Sequence, residues 1–201
     1  MRLRRRSREP EVDPFYDMLF NMLIAFVFCF IIALLAMNPK ALKAGDIPSK
    51  AEFIINVSWP DMNPNDIDTW VEDPAGNLLW FRQRDAGLMH LDRDDRGLMN
   101  DVITINGKEI VNPLNVEVAT IRGIEPGEFT VNVSYYESKN KAAVPVTVSI
   151  IKVNPRAEVV YYGQTTLARQ GDEATMARFT VRPDGTVANV NTLAKTLVQR
   201  Q

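Results

Sequence analysis

The chain has 201 residues, of which 23 are basic and 25 are acidic, so its net charge is −2. This balance excludes a nucleic acid as a main partner, because domains that bind nucleic acids are usually basic. The charge is uneven, however, since arginines occupy positions 2, 4, 5, 6 and 8. The single cysteine, Cys29, lies inside an apolar run, which excludes an internal disulfide and a cysteine-ligated metal in the remainder of the chain.

Residues 1–13 form a basic tail, and residues 14–38 form a predicted transmembrane helix. No residue from Met22 to Met37 is charged or strongly polar. At a rise of about 1.5 Å per residue, such a run spans a hydrocarbon core of roughly 30 Å. The arginine cluster predicts a cytoplasmic N-terminus. The run exceeds the roughly 7–15 residues of a signal-peptide core, which favours a retained anchor over a cleaved signal.

Asp17 is an ionisable residue near the start of this apolar run. A charge inside a membrane helix costs on the order of 2.5–3.5 kcal/mol, so the default interpretation is movement of an ion, with the carboxylate facing protein or water. Helical spacing places Asn21 on the same face, one turn further on. Hydropathy leaves an alternative open, in which Asp17 marks the membrane boundary in the headgroup zone.

The segment Pro14-Phe15-Tyr16-Asp17-Met18-Leu19 and the apolar helix after it resemble the P-x-x-D-x-L entry of the ExbD/TolR family and the start of MotB stator helices. The resemblance implies that Asp17 carries H⁺ or Na⁺ and that Pro14, Tyr16 and Asn21 support it. It also implies a homodimer inside a pentamer of a multi-helix membrane partner of the MotA, ExbB or TolQ type. An aliphatic residue is commoner in these families at the position of Asn21.

After a predicted linker over residues 39–51, the sequence changes to an alternation of period two, which indicates β-strands. Turn residues separate the strand candidates, which are 53–59, 67–72, 77–83, 102–107, 116–121, 129–136, 144–151, 158–163 and 177–183. Many short strands with regular turns favour an antiparallel sandwich or barrel. We therefore predict an all-β sandwich over residues 52–190 and a short helix or tail over residues 191–201.

The run DIDTWVEDPAG at residues 66–76 looks like the D-x-D-x-x-V-x-D-P-x-G opening of bacterial β-sandwich modules. GEFTV at residues 127–131 and the pair Tyr135-Tyr136 look like a later strand of the same modules. This resemblance implies an immunoglobulin-like or jelly-roll sandwich and no particular ligand. The prediction as a whole is a single-pass protein of the bacterial inner membrane, with a cytoplasmic N-terminus and a periplasmic β-sandwich.

Acid clusters in the β domain raise a calcium hypothesis, because carboxylate oxygens at alternating positions suit Ca²⁺. The first cluster is Asp66, Asp68 and Asp73, and the second is Asp92, Asp94, Asp95 and Asp101. Arg93 and Arg96 interleave with the second cluster, and Ile103 stands where an EF-type loop needs a glutamate. A solvated loop with local ion pairs is therefore the preferred interpretation, and no resident cofactor is expected.

No catalytic set is visible in the sequence, so the chain is not predicted to be an enzyme. His90 is the only histidine, and it is interpreted as a surface residue because one histidine cannot build a zinc site. The serines in or beside strands lack the strand–turn–helix context of a nucleophile. The tryptophans at positions 59, 70 and 80 are interpreted as core or interface anchors, with a sugar-binding platform as the alternative.

Two functions therefore compete. In the favoured hypothesis the chain is an ion-channelling subunit of a membrane rotary motor, which couples H⁺ or Na⁺ flow through Asp17 to motion of the exported domain. The β-sandwich would then dimerise or attach to an unknown cell-envelope target. In the alternative, the β-sandwich is a binding or adhesion module and the helix is a passive tether.

Overall fold

The computed structural model describes residues 14–37, 50–99 and 101–198. The chain divides into two units, Met1–Asp46 and Ile47–Gln201. The first unit contains one described helix, and the second contains the β domain. The predicted basic tail over residues 1–13, and all but the end of the predicted linker over residues 39–51, lie outside the described residues.

Helix α1 extends over Pro14–Met37. Proline suits the first position because it has no N–H to leave unpaired, and Asp17 in the first turn complements the positive end of the helix dipole. Pro14–Ile32 is long and apolar enough to cross a membrane, and the same properties fit a signal sequence. The side chains of residues 14–32 are exposed, so this apolar surface requires lipid or protein to cover it.

Strands fill most of the described part of the second unit. They are β1 (Phe53–Trp59), β2 (Asp66–Glu72), β3 (Leu78–Leu79), β4 (Asp85–Ala86), β5 (Met89–Arg93), β6 (Val102–Ile105), β7 (Lys108–Val111), β8 (Asn115–Ile121), β9 (Gly127–Glu137), β10 (Val144–Lys152), β11 (Glu158–Leu167), β12 (Glu173–Val181) and β13 (Val187–Asn191). The β-rich domain predicted from the period-two alternation is confirmed at this level.

The strands form two larger sheets and a separate hairpin. One sheet has the order β11-β10-β1-β8-β5-β4, and the other has the order β13-β12-β9-β2-β3. Strands β6 and β7 pair with each other, and their residues are exposed. Asn106 and Gly107 both have positive φ, of 52° and 76°, which is the backbone of the tight type I′ turn that an Asn-Gly pair favours.

The two larger sheets share one hydrophobic core. Strand β1 alternates buried and half-buried residues over its whole length, so one face of each sheet supplies apolar side chains. Phe53 of the six-stranded sheet approaches Phe179 of the five-stranded sheet, with ring centroids 5.8 Å apart. Phe129 stacks on the same ring at 5.5 Å. This arrangement of two layers around one core is sandwich-like.

The described part of the C-terminal segment, residues 192–198, is irregular and lies along the five-stranded sheet. The Lys195 carbonyl oxygen accepts hydrogen bonds from Asn132 Nδ2 at 2.6 Å and Thr175 Oγ1 at 3.0 Å. Glu173 Oε1 accepts the Leu197 N–H at 2.7 Å. Side chains of β9 and β12 thus satisfy backbone groups that a helix would have paired internally.

We expect the Asn65→Ala variant to lose about 1–3 kcal/mol of unfolding free energy, because Ala removes a buried carboxamide that pairs with the Lys139 backbone N–H and the Asn140 side chain. Asn65 is buried; its Oδ1 accepts the Lys139 N–H at 2.8 Å, and its Nδ2 donates to Asn140 Oδ1 at 2.8 Å. Urea unfolding of the full chain in detergent measures the loss. Gln170→Ala, which removes an exposed amide, should change stability by less than about 0.5 kcal/mol. Equal effects of the two variants would contradict the expectation.

Candidate functional site

The helix site has the arrangement that its residue spacing predicts. Asp17 lies in the first turn of α1, and Asn21 lies one turn further along the same face. Pro14 is the first residue of the helix, and the rings of Phe15 and Tyr16 pack edge to face with centroids 6.1 Å apart. The structure therefore places one carboxylate and one carboxamide together on an otherwise apolar helix.

Two of the suspected calcium ligands are engaged elsewhere in the β domain. Asp73 accepts the backbone N–H of Asn77 at 2.8 Å and its side-chain amide at 2.7 Å, so it closes the turn after β2. Asp92 accepts Thr120 Oγ1 at 2.7 Å and pairs with Arg122 at 2.8 Å. Both carboxylates have partners that explain their positions without a metal.

Asp95 is also held by local partners. Its Oδ2 accepts Arg93 at 2.7 Å and the Val116 N–H at 3.2 Å, while its Oδ1 is buried without a hydrogen-bond partner. Burial raises the pKa of Asp95, and the Val116 N–H and Arg93 oppose that rise. The Arg93–Asp95 pair is an ion pair of the kind expected for an acid-rich loop.

Three other carboxylates meet where the two sheets approach each other. Asp68 comes from β2, Asp94 from the loop after β5, and Glu117 from β8. Each offers an oxygen that lies within 4.8 Å of the oxygens from the other two. The fold thus joins one member of each acid cluster in the sequence and adds a third carboxylate, Glu117, that the sequence analysis did not single out.

Glu117 was missed because its strand reads NVEVATI, in which either face can be the buried one. Valines at positions 116 and 118 suggest that Glu117 faces solvent, but the structure buries Glu117 on the face of Ala119 and Ile121. The available signal was that Glu117 shares one strand face with the apolar residues Ala119 and Ile121, which indicates a buried acid. The periodicity alone does not select that face.

Glu117 and Asp68 are both buried and incompletely paired. Glu117 is 1% exposed; its Oε2 accepts the Thr69 N–H at 2.7 Å, and its Oε1 has no hydrogen-bond partner. Asp68 is 2% exposed, and its Oδ2 also has no partner. Asp66 beside it is buried with Oδ1 unpartnered. Buried polar atoms without partners are uncommon in folded proteins and require an explanation.

The cluster favours protonated carboxyls when no cation balances it. Burial raises the pKa of Asp68 to about 8, and the charges of Asp66 and Asp94 add to the rise. Burial and the charge of Asp94 raise the pKa of Asp66 to about 7. Burial, then the charge of Asp68, raises the pKa of Glu117 well above its usual range. Arg96 opposes the shifts at both aspartates but is itself exposed.

Gly97 holds the Asp94 loop against the segment that leads into β2. Its φ is +69°, and a Cβ at this position would lie 2.7 Å from the Pro64 carbonyl oxygen. Only a residue without a side chain permits this approach. This close packing of Gly97 against Pro64 holds the loop where Asp94 lies near Asp68 and Glu117.

A separate aromatic cleft of about 300 Å³ opens on the five-stranded sheet. Trp70 of β2 stacks on Trp80, with ring centroids 4.7 Å apart and an interplanar angle of 19°. Phe81 meets Trp80 edge to face at 5.0 Å, and the Arg82 guanidinium lies 5.6 Å from the Trp80 ring centroid. Tyr136 also lines the cleft. Such a surface offers apolar contact with a cationic group beside it.

The other polar residues considered in the sequence have structural contacts. His90 Nδ1 lies 2.5 Å from Asp85 Oδ1 across the β4–β5 pair. Ser134 Oγ accepts the Trp70 indole N–H at 3.2 Å, and Ser138 Oγ lies 3.0 Å from the Tyr135 hydroxyl. These contacts position the three side chains within the β domain.

No protein-family model, curated protein or solved structure matches the chain. The site assignments therefore depend on the residues and the geometry described above.

Proposed function

We propose that this protein is an ion-channelling subunit of a membrane motor, in which Asp17 carries H⁺ or Na⁺. The single observation that carries the proposal is a carboxylate on an apolar helix of membrane-spanning length, with Asn21 one turn away on the same face. An ionisable group in such a helix is costly unless it faces a partner or water. The resemblance of residues 14–19 to the ExbD, TolR and MotB helix entry adds support.

The proposal assigns a role to each end of the helix. The arginines at the N-terminus keep that end cytoplasmic, so Asp17 lies near the cytoplasmic side and the β domain is exported. Two copies of α1 would pack inside a pentamer of a multi-helix partner, which covers the exposed apolar faces. Asn21 would hydrogen-bond across the helix interface or to the hydrated carboxylate.

The β domain would transmit the resulting motion. We propose an immunoglobulin-like or jelly-roll sandwich that either dimerises or attaches to a component of the cell envelope. Because its two sheets share one close-packed core, the β domain would move as a rigid body. This assignment follows from architecture, and fold alone does not define a function.

The aromatic cleft favours a second candidate, a membrane-anchored binding module. Trp70, Trp80, Phe81 and Tyr136 line a concave surface with Arg82 beside it. Stacked aromatic rings of this kind are suited to flat or amphipathic ligands. In this candidate the β domain alone has the function, and the helix serves only to keep it at the membrane.

Exchanging the helix separates the two candidates. Residues 14–37 are replaced by an unrelated apolar helix of the same length, and both tagged chains are purified from membranes of the native host. Native mass spectrometry should show the original chain as two copies with five copies of one multi-helix protein, and the exchanged chain without that partner. A monomeric original chain, or identical complexes from both chains, would overturn the motor proposal. A control exchange of Leu23 for Ile should leave the complex intact.

A further inference from the structure

We infer that the carboxylates of Asp68, Asp94 and Glu117 form a binding site for a divalent cation of the calcium type. The inference is independent of the proposed function, because it concerns the β domain and not the helix. Its basis is the convergence of three segments, β2, β8 and the loop after β5, on one small volume. Two observations beyond acidity support it, namely unpartnered buried oxygens and the spacing of the oxygen atoms.

Two residues of the cluster have buried oxygens without hydrogen bonds. Glu117 Oε1 and Asp68 Oδ2 are both inaccessible and have no partner, although the other oxygen of Glu117 is paired with the Thr69 N–H. A lone buried carboxylate without a partner is unfavourable because it has lost its hydration. A bound cation supplies the missing interaction to both oxygens at once.

The oxygen spacing matches a large, hard cation. Ca²⁺ binds oxygens at roughly 2.3–2.6 Å, so two ligands of one ion are at most about 4.6–5.2 Å apart. The three carboxylate oxygens lie within 4.8 Å of one another, so a single ion can contact all three. Their burial favours Ca²⁺ over Mg²⁺, because Mg²⁺ gives up its bound waters reluctantly. Zinc is disfavoured because the cluster contains neither histidine nor cysteine.

The negative charge of the cluster is also not balanced by the neighbouring residues. Asp66, Asp68, Asp94 and Glu117 bring four carboxyls together, and Arg96 lies nearby with its guanidinium 3.7 Å from Asp94 Oδ2. Arg96 is 55% exposed at its side chain, so it can swing into solvent when the site is filled. One exposed arginine does not balance this group, and a divalent ion would offset two more of its negative charges.

A cation at this position would tie the two sheets together. Asp68 belongs to the five-stranded sheet and Glu117 to the six-stranded sheet, while Asp94 belongs to the loop that Gly97 packs against the approach to β2. Binding would therefore add a link between strands that already meet through the core and through the hydrogen bond from the Thr69 N–H to Glu117. We expect an increase in stability and a dissociation constant in the range of about 10⁻⁵–10⁻³ M.

The test measures calcium binding to the full chain in detergent after chelator treatment. Calorimetric titration with CaCl₂ should show one saturable site, with weaker binding of MgCl₂. Above saturation, each tenfold increase in Ca²⁺ should raise Tm by about 3–5 °C, because the ion binds only the folded state. KCl at matched ionic strength controls for screening of surface charge.

Two variants and one control identify the ligands. Glu117→Gln and Asp94→Asn keep the shape of each side chain and remove its charge, so each should abolish the Tm response to Ca²⁺. Asp94→Asn lies in a loop, so it serves the test if Glu117→Gln fails to fold. Asp92→Asn, two residues earlier in β5 and bonded to Thr120 and Arg122, should keep the response. Absence of calcium binding in the original chain, equal or tighter binding of Mg²⁺, or an unchanged response in both variants would overturn the inference.

Discussion

We expect the Asp17→Asn variant to abolish ion flux through the purified complex while leaving its assembly intact. Asparagine has the size of aspartate and keeps a hydrogen-bonding group, but it cannot take up and release a proton or bind Na⁺ through a charge. The complex, purified from native membranes, is reconstituted into liposomes and energised with a potassium diffusion potential. A pH-sensitive dye reports H⁺ entry, and radioactive sodium reports Na⁺ entry.

The matched variants locate the effect at the carboxylate. Asp17→Glu retains an ionisable group and should keep part of the flux, since only the carboxylate position moves. Asn21→Leu should retain part of the ion flux if Asn21 supports the carboxylate by hydrogen bonding and does not carry the ion itself. Full flux in Asp17→Asn, with the complex assembled, would refute the role of Asp17 and leave the passive tether as the explanation.

Chemical labelling gives a second measurement of the same residue that does not require transport. Dicyclohexylcarbodiimide reacts with protonated carboxyls in apolar surroundings, and mass spectrometry of the helix peptide detects the product. Labelling of Asp17 that falls as Na⁺ increases would indicate a sodium site. Labelling that depends on pH but not on Na⁺ would indicate a proton site. An Asp17 at the headgroup boundary, exposed to water, would remain unlabelled.

We expect the chain without divalent cations to become less stable as pH rises from about 5.5 to about 8.5. The carboxyl pKa values of Asp68 and Asp66, about 8 and about 7, exceed the value of 3.8 that applies when they are unfolded. Between those values the folded chain binds more protons than the unfolded chain, so stability falls as pH rises. We expect a loss on the order of 5 kcal/mol, or roughly 10–20 °C in Tm.

Several charged groups contribute to this dependence. Those that act on Asp66 and Asp68 are Asp94, Asp95, Arg96 and Glu137, and the pKa of the neighbouring Glu117 is raised as well. Hydrogen bonds from Thr186 lower the pKa of Asp184, so this carboxyl is ionised in both the folded and the unfolded chain over this pH range and does not change the trend. The buried carboxyls dominate because burial provides the larger part of their shifts.

Thermal unfolding in a chelator at the two pH values measures the effect. Asp68→Asn should flatten the pH dependence, because its amide is neutral throughout. Asp61→Asn, which alters an exposed carboxyl, should leave the dependence unchanged. If Asp68→Asn and the original chain lose equal stability, the buried carboxyls are not the cause. Saturating Ca²⁺ should also reduce the pH dependence, since it replaces protons at the cluster.

Strands in which apolar and polar residues alternate clearly were predictable from the sequence. Short strands that form only by pairing with an adjacent strand were not. The candidates at 53–59 and 144–151 correspond to β1 and β10, whose buried residues recur at every second position. The candidate at 77–83 contains only β3 and one isolated bridge, Trp80–Gln83. Strands β4, β5, β7 and β13 were not predicted, because each is five residues or fewer and depends on a partner strand.

The helix needed no tertiary context. The run from Met22 to Met37 is apolar and uncharged, and Pro14 and Asp17 occupy the first turn before it. These features favour a helix through interactions within the segment itself. The spacing of Asp17 and Asn21 follows from the helical repeat alone. The sequence by itself therefore determined the helix, its polar face and the β-rich character of the remainder.

The carboxylate cluster was decided by tertiary structure. Asp68, Asp94 and Glu117 are far apart in the chain, and no sequence spacing brings them to within 4.8 Å of one another. Sheet register selects which face of β8 is buried, since a shift of one residue would turn Glu117 outward. The close approach at Gly97 then sets the position of the Asp94 loop. Local patterns fix elements along one chain segment, whereas a site built from three segments depends on how the sheets pack.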